Sequence, residues 1–231
     1  MSVLLSAPTD YFSNSSRSYN PEAPPDRFTP IPGNGNFRGA RIDNFRQMKL
    51  LKQSYGVKTI VNLAQDSMRL QKSGDGFECE CTNCLYLGPQ ANACEPQWAR
   101  ALGLNYIYVP LGGSCPSEED YAVIQEALID GHAYVHCTHG VDRTGGVVGR
   151  WVREVLGLSD SEIIDYTYSF GGQWTDPSDP NHRLRDCMLN ATHNPSLVGA
   201  IRSASRAWLP FVLIGGATLI AGAVVYRFRY K

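Results

Sequence analysis

The sequence predicts an α/β domain with a mainly parallel central sheet flanked by helices, followed by one C-terminal transmembrane helix. Three observations carry this. Short runs rich in Val, Ile and Tyr alternate with stretches of helical periodicity, the pattern of βα units whose sheet is covered on both faces. Serines at positions 117 and 159 open acid-rich segments, as helix N-caps do. Residues 207–226 (AWLPFVLIGGATLIAGAVVY) run for 20 residues without a charge, long enough to span a bilayer.

The elements follow in order. Residues 1–36 hold six of the 14 prolines and six serines with little apolar periodicity, and read as a flexible leader. The alternative is an arm packed on the domain through Tyr11, Phe12, Tyr19 and Phe28. The folded domain is expected over 37–194. Within it, 44–54 (NFRQMKLLKQS) predicts a helix and 57–63 (VKTIVNL) a strand, followed by a loop. Residues 104–111 (LNYIYVPL) predict a buried strand, 117–130 a helix, 133–136 (AYVH) a short central strand and 144–156 a helix. Ser159 with Glu162 forms a capping-box signature for a last helix reaching about Phe170.

The net charge of -1 hides an asymmetry: residues 1–194 carry 16 Lys+Arg against 22 Asp+Glu, whereas 195–231 carry five basic residues and no acid. An acidic body does not draw in a long polyanion by its bulk field, so sequence-independent nucleic-acid binding is not expected. Residues 195–206 form a basic juxtamembrane segment with Arg202 and Arg206, and Arg227, Arg229 and Lys231 make a basic tip over 227–231. Trp208 and Tyr226 sit at the two ends of the apolar run, where interfacial aromatics belong. The expectation is a tail anchor over 207–226, with a buried core or interface helix as the alternative. The run is short and diluted by Gly215, Gly216 and Gly222. That fits a thin intracellular membrane, with the mitochondrial outer membrane or endoplasmic reticulum expected and the folded domain facing the cytosol.

Function is concentrated in one run, His136-Cys137-Thr138-His139-Gly140-Val141-Asp142-Arg143-Thr144-Gly145, set between the strand AYVH and the helix that follows. A loop entering a helix N-terminus presents several backbone N–H groups and the positive end of the helix dipole to an anion. Thr138, His139, Gly140, Val141, Asp142 and Arg143 would form this phosphate cradle. A cysteine at its base has its thiolate stabilised by the same amides and by the nearby cation, which makes Cys137 a nucleophile at neutral pH. Arg143 offers a planar fork able to hold two phosphoryl oxygens, which a lysine point charge does less well.

This run resembles the H-C-x5-R-[ST] signature of the cysteine-dependent protein tyrosine and dual-specificity phosphatase superfamily. Asn36-Phe37-Arg38-Gly39-Ala40 and Gly56 to Leu63 extend the likeness to the opening of compact atypical dual-specificity phosphatases. The resemblance implies a dual-specificity phosphatase-like fold over about 36–172. It also implies hydrolysis of phosphate esters through a phosphocysteine intermediate, without a cofactor or metal. By the same resemblance Thr144 supplies the hydroxyl that helps the sulfur leave, and His136 tunes the thiol. The implied partners are phosphoproteins bearing phospho-Tyr, phospho-Ser or phospho-Thr. The His-Cys-Thr-His-Gly variant and Gly112 to Ser117 are also similar to RNA 5′-triphosphatase domains of animal-type capping enzymes. Val141-Asp142-Arg143-Thr144 resembles the loop ending of myotubularin and Sac-type phosphoinositide phosphatases. A catalytically dead phosphatase-like binding module is the alternative from outside enzymology.

The sequence departs from the superfamily in its general acid, since residues 111–117 contain no Asp. The candidates are Asp142, Glu118, Glu119 and Asp120, unless the leaving group needs little protonation. Asp142 has an alternative role in orienting Arg143 or His139. Seven cysteines, an odd number, with no signal-peptide pattern at the N-terminus, predict an intracellular chain with reduced thiols. Cys79, Cys81, Cys84 and Cys94 form an uncommon C-x-C-x2-C-x9-C spacing, read as a surface loop of reduced thiols with zinc as the alternative. Cys115 is a candidate partner for Cys137 in a protective disulfide under oxidation.

Overall fold

The computed structural model describes residues 23–65, 91–172 and 182–207. Its strands are β1 (Thr29–Ile31), β2 (Asn36–Gly39), β3 (Thr59–Ala64), β4 (Asn105–Leu111) and β5 (Ala133–His136). Its helices are α1 (Phe45–Tyr55), α2 (Ala91–Leu102), α3 (Glu118–Asp130), α4 (Asp142–Leu156), α5 (Asp160–Tyr168), α6 (Leu184–Leu189) and α7 (Pro195–Ala207). The strands form one sheet in the order β1-β2-β5-β3-β4, parallel throughout except for the β1–β2 pair.

The mainly parallel sheet is therefore as expected, with one antiparallel edge. Every residue of β3 and β5 is buried, which explains why both read as unbroken apolar runs rather than alternating ones. Helices cover both faces. On one, Val61, Leu63, Val135, Ile124, Leu128, Val148, Trp151 and Ile163 join β3 and β5 to α3, α4 and α5. On the other, Met48, Leu51, Ile60, Trp98, Ala99 and Tyr134 join the sheet to α1 and α2.

Local signals account for most boundaries. Asn44 caps α1 by accepting from the Gln47 N–H at 2.9 Å, and Gly56 ends that helix in the left-handed region. Ser117 caps α3 through the Asp120 N–H, and the Ser159–Glu162 capping box opens α5. Gly146 on α4 allows α6 to approach, because a Cβ there would lie 2.9 Å from the Leu184 carbonyl oxygen.

The structure corrects the sequence reading in three places. The flexible leader does not extend through residue 36. β1 lies inside that stretch, and Phe28 packs against Phe37, Tyr55 and Tyr134 with ring centroids 4.7, 4.4 and 5.9 Å away, which removes a large ring from water. Tyr11, Phe12 and Tyr19 lie outside the described residues. α2 occupies part of what reads as a loop. Pro96 inside it masks the helical pattern, while Trp98 and Ala99 bury against α1. Residues 195–206, read as a juxtamembrane segment, are helical in α7, and Leu197 joins the core. The expected anchor at 207–226 lies outside the described residues except for Ala207. No described helix is long and apolar enough to cross a membrane.

Trp151 ties the two ends of the domain together, being fully buried on α4 while its indole N–H donates to the Pro32 carbonyl at 2.7 Å. Trp151→Ala is expected to lower the unfolding free energy by about 3–5 kcal/mol in denaturant titration. A loss below about 1 kcal/mol would contradict this packing.

Candidate active site

β5 ends at His136 in the centre of the sheet, α4 starts at Asp142, and the five residues between them form a loop at the carboxyl end of the parallel strands. Cys137 sits at its base, 2% exposed, and is the free cysteine among the described residues. Unlike α1, α3 and α5, α4 has no side-chain cap. Its first-turn N–H groups are therefore not occupied by its own N-cap side chain, which leaves an anion-binding helix end.

Three successive carbonyls of the loop are fastened outward. Thr138 O accepts from the backbone N–H of Arg41 at 3.3 Å, His139 O from the Arg27 guanidinium at 2.8 Å, and Gly140 O from the Arg38 guanidinium at 2.7 Å. A peptide unit is planar and carries its C=O and the following N–H on opposite sides. Fixing these three carbonyls outward therefore turns the N–H groups of residues 139–141 toward the concave side, where successive amides make an anion-binding nest. Gly140 has φ +70°, and a Cβ there would lie 2.4 Å from the Gly39 backbone, so the loop closes only with glycine at this place. Arg143 donates from Nη2 to Thr138 Oγ1 at 3.1 Å, which holds its fork across the loop.

The electrostatics of Cys137 follow. Burial pushes the thiol up, but the Thr144 hydroxyl, the Arg143 charge and the N–H groups of Thr144 and Gly140 outweigh it, so the net direction is down. The Thr144 hydroxyl is buried without a conventional partner, leaving it to act on the sulfur. Loss of water and then the charges of Arg27, Arg41 and Arg143 push His139 down, so it stays neutral at pH 7.

The residues singled out from the sequence are thus brought together at one loop, Cys137, Arg143, Thr144, Thr138, His139, Gly140 and Val141 among them. Asp142 is the first residue of α4, half-buried and close enough to His139 to oppose the downward push on it. Of the other acid candidates, Glu118 is held in a bidentate pair with Arg150 at 2.9 and 2.7 Å, and Arg150 keeps its carboxyl below the usual carboxylate range. A carboxylate so engaged carries no proton to donate. Glu119 and Asp120 are exposed in the first turn of α3.

The cysteine expectations need correction. Cys115 pairs with Cys187, not with Cys137, and this disulfide fastens the loop after β4 to α6. Cys94 is also disulfide-bonded, so it is neither a reduced thiol nor a free zinc ligand. Cys79, Cys81 and Cys84 lie outside the described residues. Among the described residues no group of three or more His, Cys, Asp or Glu is arranged to hold a metal.

Sequence reasoning missed three residues. Arg27 falls in the stretch read as leader. Arg38 stands in the quoted NFRGA run but had no role assigned to it; it is fully buried beneath the Phe170 ring, 4.1 Å from the centroid. Glu95, in the stretch read as a loop, is fully buried 3.1 Å from His136 Nε2. Only Arg38 carried a signal, since it stands within the Asn36 to Ala40 run that carries the family likeness.

Comparison with known proteins gives the family and the fold. The profile described as "Tyrosine phosphatase family" matches residues 34–194. The core catalytic domain of the PP-IP phosphatase SIW14 from S. cerevisiae, solved with citrate, superposes with a TM-score of 0.50 at 17% identity, covering 81% of this chain and 97% of that one. A second structure of the Siw14 catalytic core gives 0.50 at 14%, covering 81% and 96%. A PTP-like phytase from Bdellovibrio bacteriovorus gives 0.49 at 13%, covering 81% and 86%. No curated protein sequence matches. At these identities the Siw14 structures show a common fold.

Removing the Arg27 guanidinium frees one loop carbonyl at the protein surface. Arg27→Ala is expected to weaken binding of vanadate by about tenfold, the size of one charge-assisted hydrogen bond, with little change in thermal midpoint. Unchanged vanadate affinity would show that the loop holds its shape without that tether.

Proposed function

The chain belongs to the tyrosine phosphatase family, within the superfamily of cysteine-dependent tyrosine and dual-specificity phosphatases, and from that premise we propose that it hydrolyses phosphate monoesters of phosphoproteins through a phosphocysteine on Cys137. The carrying observation is a buried thiol at the base of the loop, held below its ordinary range by the Thr144 hydroxyl, the Arg143 charge and the N–H groups of Thr144 and Gly140.

In the first step the Cys137 thiolate attacks phosphorus, the S–P bond forms and the bond to the leaving oxygen breaks. Arg143 and the loop amides hold the three remaining oxygens, whose charge grows in the transition state. Asp142, the first residue of α4, is the proposed donor of the proton to the leaving oxygen, with Glu119 and Asp120 as the alternatives because Glu118 is engaged with Arg150. In the second step water attacks phosphorus and gives a proton back to Asp142, and the S–P bond breaks with the Thr144 hydroxyl donating to the departing sulfur. The thiolate is restored and inorganic phosphate leaves. No step calls on a metal.

The positive field beside the loop supports a second substrate reading. The charges of Arg27, Arg41 and Arg143 all reach His139, although Arg27 is engaged with the His139 carbonyl and Arg41 with Asp43, and such a field favours a substrate that carries more than one phosphate group. A phosphoinositide or an RNA 5′-triphosphate presents such groups; a phosphotyrosine peptide presents one. Phosphopeptides, phosphoinositides and triphosphate-ended RNA assayed side by side decide between them, and the reading given first expects the highest kcat/KM on phosphopeptides.

Cys137→Ser and Arg143→Lys are each expected to lose several orders of magnitude in rate on an aryl phosphate while the fold persists, with wild-type activity metal-independent and inhibited by vanadate. Full activity in Cys137→Ser, or activity lost to a chelator, would contradict the mechanism. A well-folded wild type that binds phosphopeptides and turns over nothing would make the chain a binding module.

We also propose that residues 207–226 anchor the chain in a membrane. Their 20 uncharged residues flanked by arginines support this, and at 1.5 Å rise they reach about 30 Å. Full-length protein is expected to resist alkaline carbonate extraction, and a form lacking 207–231 to be released. Full-length protein that washes off would reduce the segment to a peripheral one. Trapping thiols in intact cells reads the orientation: the cytosolic side expected from the sequence requires Cys115 and Cys187 to be reduced, whereas the bonded pair present in the structure, if found in cells, places the domain on an oxidising side.

A further inference from the structure

Behind the loop, on the side of the sheet away from the phosphate cradle's helix, lies a buried carboxylate that the mechanism above does not use. Glu95 projects from α2 and is 0% exposed, as is His136. Its Oε2 lies 3.1 Å from His136 Nε2, at the distance of an ion pair although the N–H is not well aligned for a hydrogen bond. The same oxygen accepts from Asn62 Nδ2 at 2.9 Å and from the Tyr106 hydroxyl at 3.3 Å. Asn62 is itself fixed, because its Oδ1 accepts from the Ala64 N–H at 2.7 Å. On the other side of the imidazole, Nδ1 lies 3.2 Å from the Cys137 carbonyl, and the ring stacks on Tyr134 with centroids 5.5 Å apart.

We propose that Glu95 is a positioning residue for the reaction: through His136 it fixes the Cys137 backbone and places a positive charge behind the reactive sulfur. The inference rests on Cys137 being the nucleophile. Taking a carboxylate out of water costs several kcal/mol unless a partner of opposite charge and hydrogen bonds answer it. Asn62 and Tyr106 are neutral, so the answering charge is His136. The carbonyl on its far side accepts only from a protonated Nδ1, and the carboxylate is matched only by a protonated Nε2. Both ring nitrogens are therefore protonated. Burial alone disfavours the imidazolium, but the Glu95 charge, together with the Cys137 carbonyl and thiolate, reverses this and raises His136. The groups facing the imidazole are Glu95 from α2, Tyr106 from β4, Tyr134 and Cys137, and the two tyrosines stay neutral because burial and then the Glu95 charge push both up. Charge thus alternates through the sheet as Glu95 negative, His136 positive and Cys137 negative. Arg143 stabilises the thiolate from the substrate side, and His136 does so from behind.

The test is the pH dependence of Cys137 alkylation by iodoacetate, which needs no substrate. Glu95→Gln keeps the size of the side chain and removes its charge. It is expected to move the alkylation midpoint up by about one pH unit, to lower kcat/KM on an aryl phosphate at pH 6 by about tenfold, and to approach wild type where the thiol is fully ionised. Glu95→Asp, which keeps the charge, should recover part of the shift. In a His136→Gln background Glu95→Gln should add nothing, because Glu95 acts through that ring. A Glu95→Gln protein with a lower thermal midpoint and an unchanged alkylation midpoint would overturn the proposal and leave Glu95 a structural residue. Nitrogen chemical shifts of His136 in wild-type protein at pH 7 test the same point without a variant: two protonated nitrogens are expected, and a neutral ring overturns it. An inactive wild type with a low alkylation midpoint that shifts in Glu95→Gln would sink the phosphatase reading and keep the action of Glu95 on the Cys137 thiol.

Discussion

The outward fastening of three consecutive loop carbonyls is the constraint on which the site depends. Amides left to themselves do not crowd their dipoles around one point, since the N–H groups repel one another until an anion arrives. Here Arg27, Arg38 and the Arg41 N–H hold the carbonyls from outside, so the amides are arranged before any phosphate binds. Preorganisation of this kind is what makes dipoles effective against charge that develops only in the transition state. The framework serves it: β2 lies beside β5, which brings Arg38 to Gly140 and Gly39 against the same glycine.

Such an arrangement demands charges where the core would otherwise be apolar. Arg38 and Glu95 are both fully buried, on opposite sides of the same loop. Neither is left to itself. Arg38 has a carbonyl and the face of Phe170, and Glu95 has His136, Asn62 and Tyr106. Breaking one partner of a buried charge is more damaging than its net contribution to stability would indicate. The two sites therefore bind the geometry of the loop to the integrity of the domain. The Arg150 cluster, in which only Glu118 is exposed, is of a different kind. It pairs with Glu118 and Glu154 and lies over Tyr121, joining α3 to α4 and removing Glu118 from proton transfer.

Legibility in the sequence followed the range of the interaction. The Ser117 and Ser159 caps, the strand AYVH and the loop from Cys137 to Thr144 are local patterns, and each appears in the structure where the spacing puts it. α2 was hidden because Pro96 and the neighbouring cysteines imitate a loop, and only the burial of Trp98 and Ala99 against α1 rescues the helix. β1 was hidden by Pro30 within it and Pro32 just after it, and an edge strand tolerates such a proline. Glu95 and His136 are 41 positions apart, Arg27 and His139 112 apart, and Cys115 and Cys187 72 apart. No periodicity encodes such pairs; they exist only once the sheet order is set.

The account stands on Cys137 becoming covalently bonded to phosphorus. The most direct measurement is acid quenching of wild-type protein during turnover of a phosphorus-labelled substrate, followed by peptide mapping. The account expects acid-stable label on the peptide containing Cys137, absent from Cys137→Ser. Label on a different residue, or turnover that leaves no label on Cys137 while Cys137→Ser remains active, would contradict it.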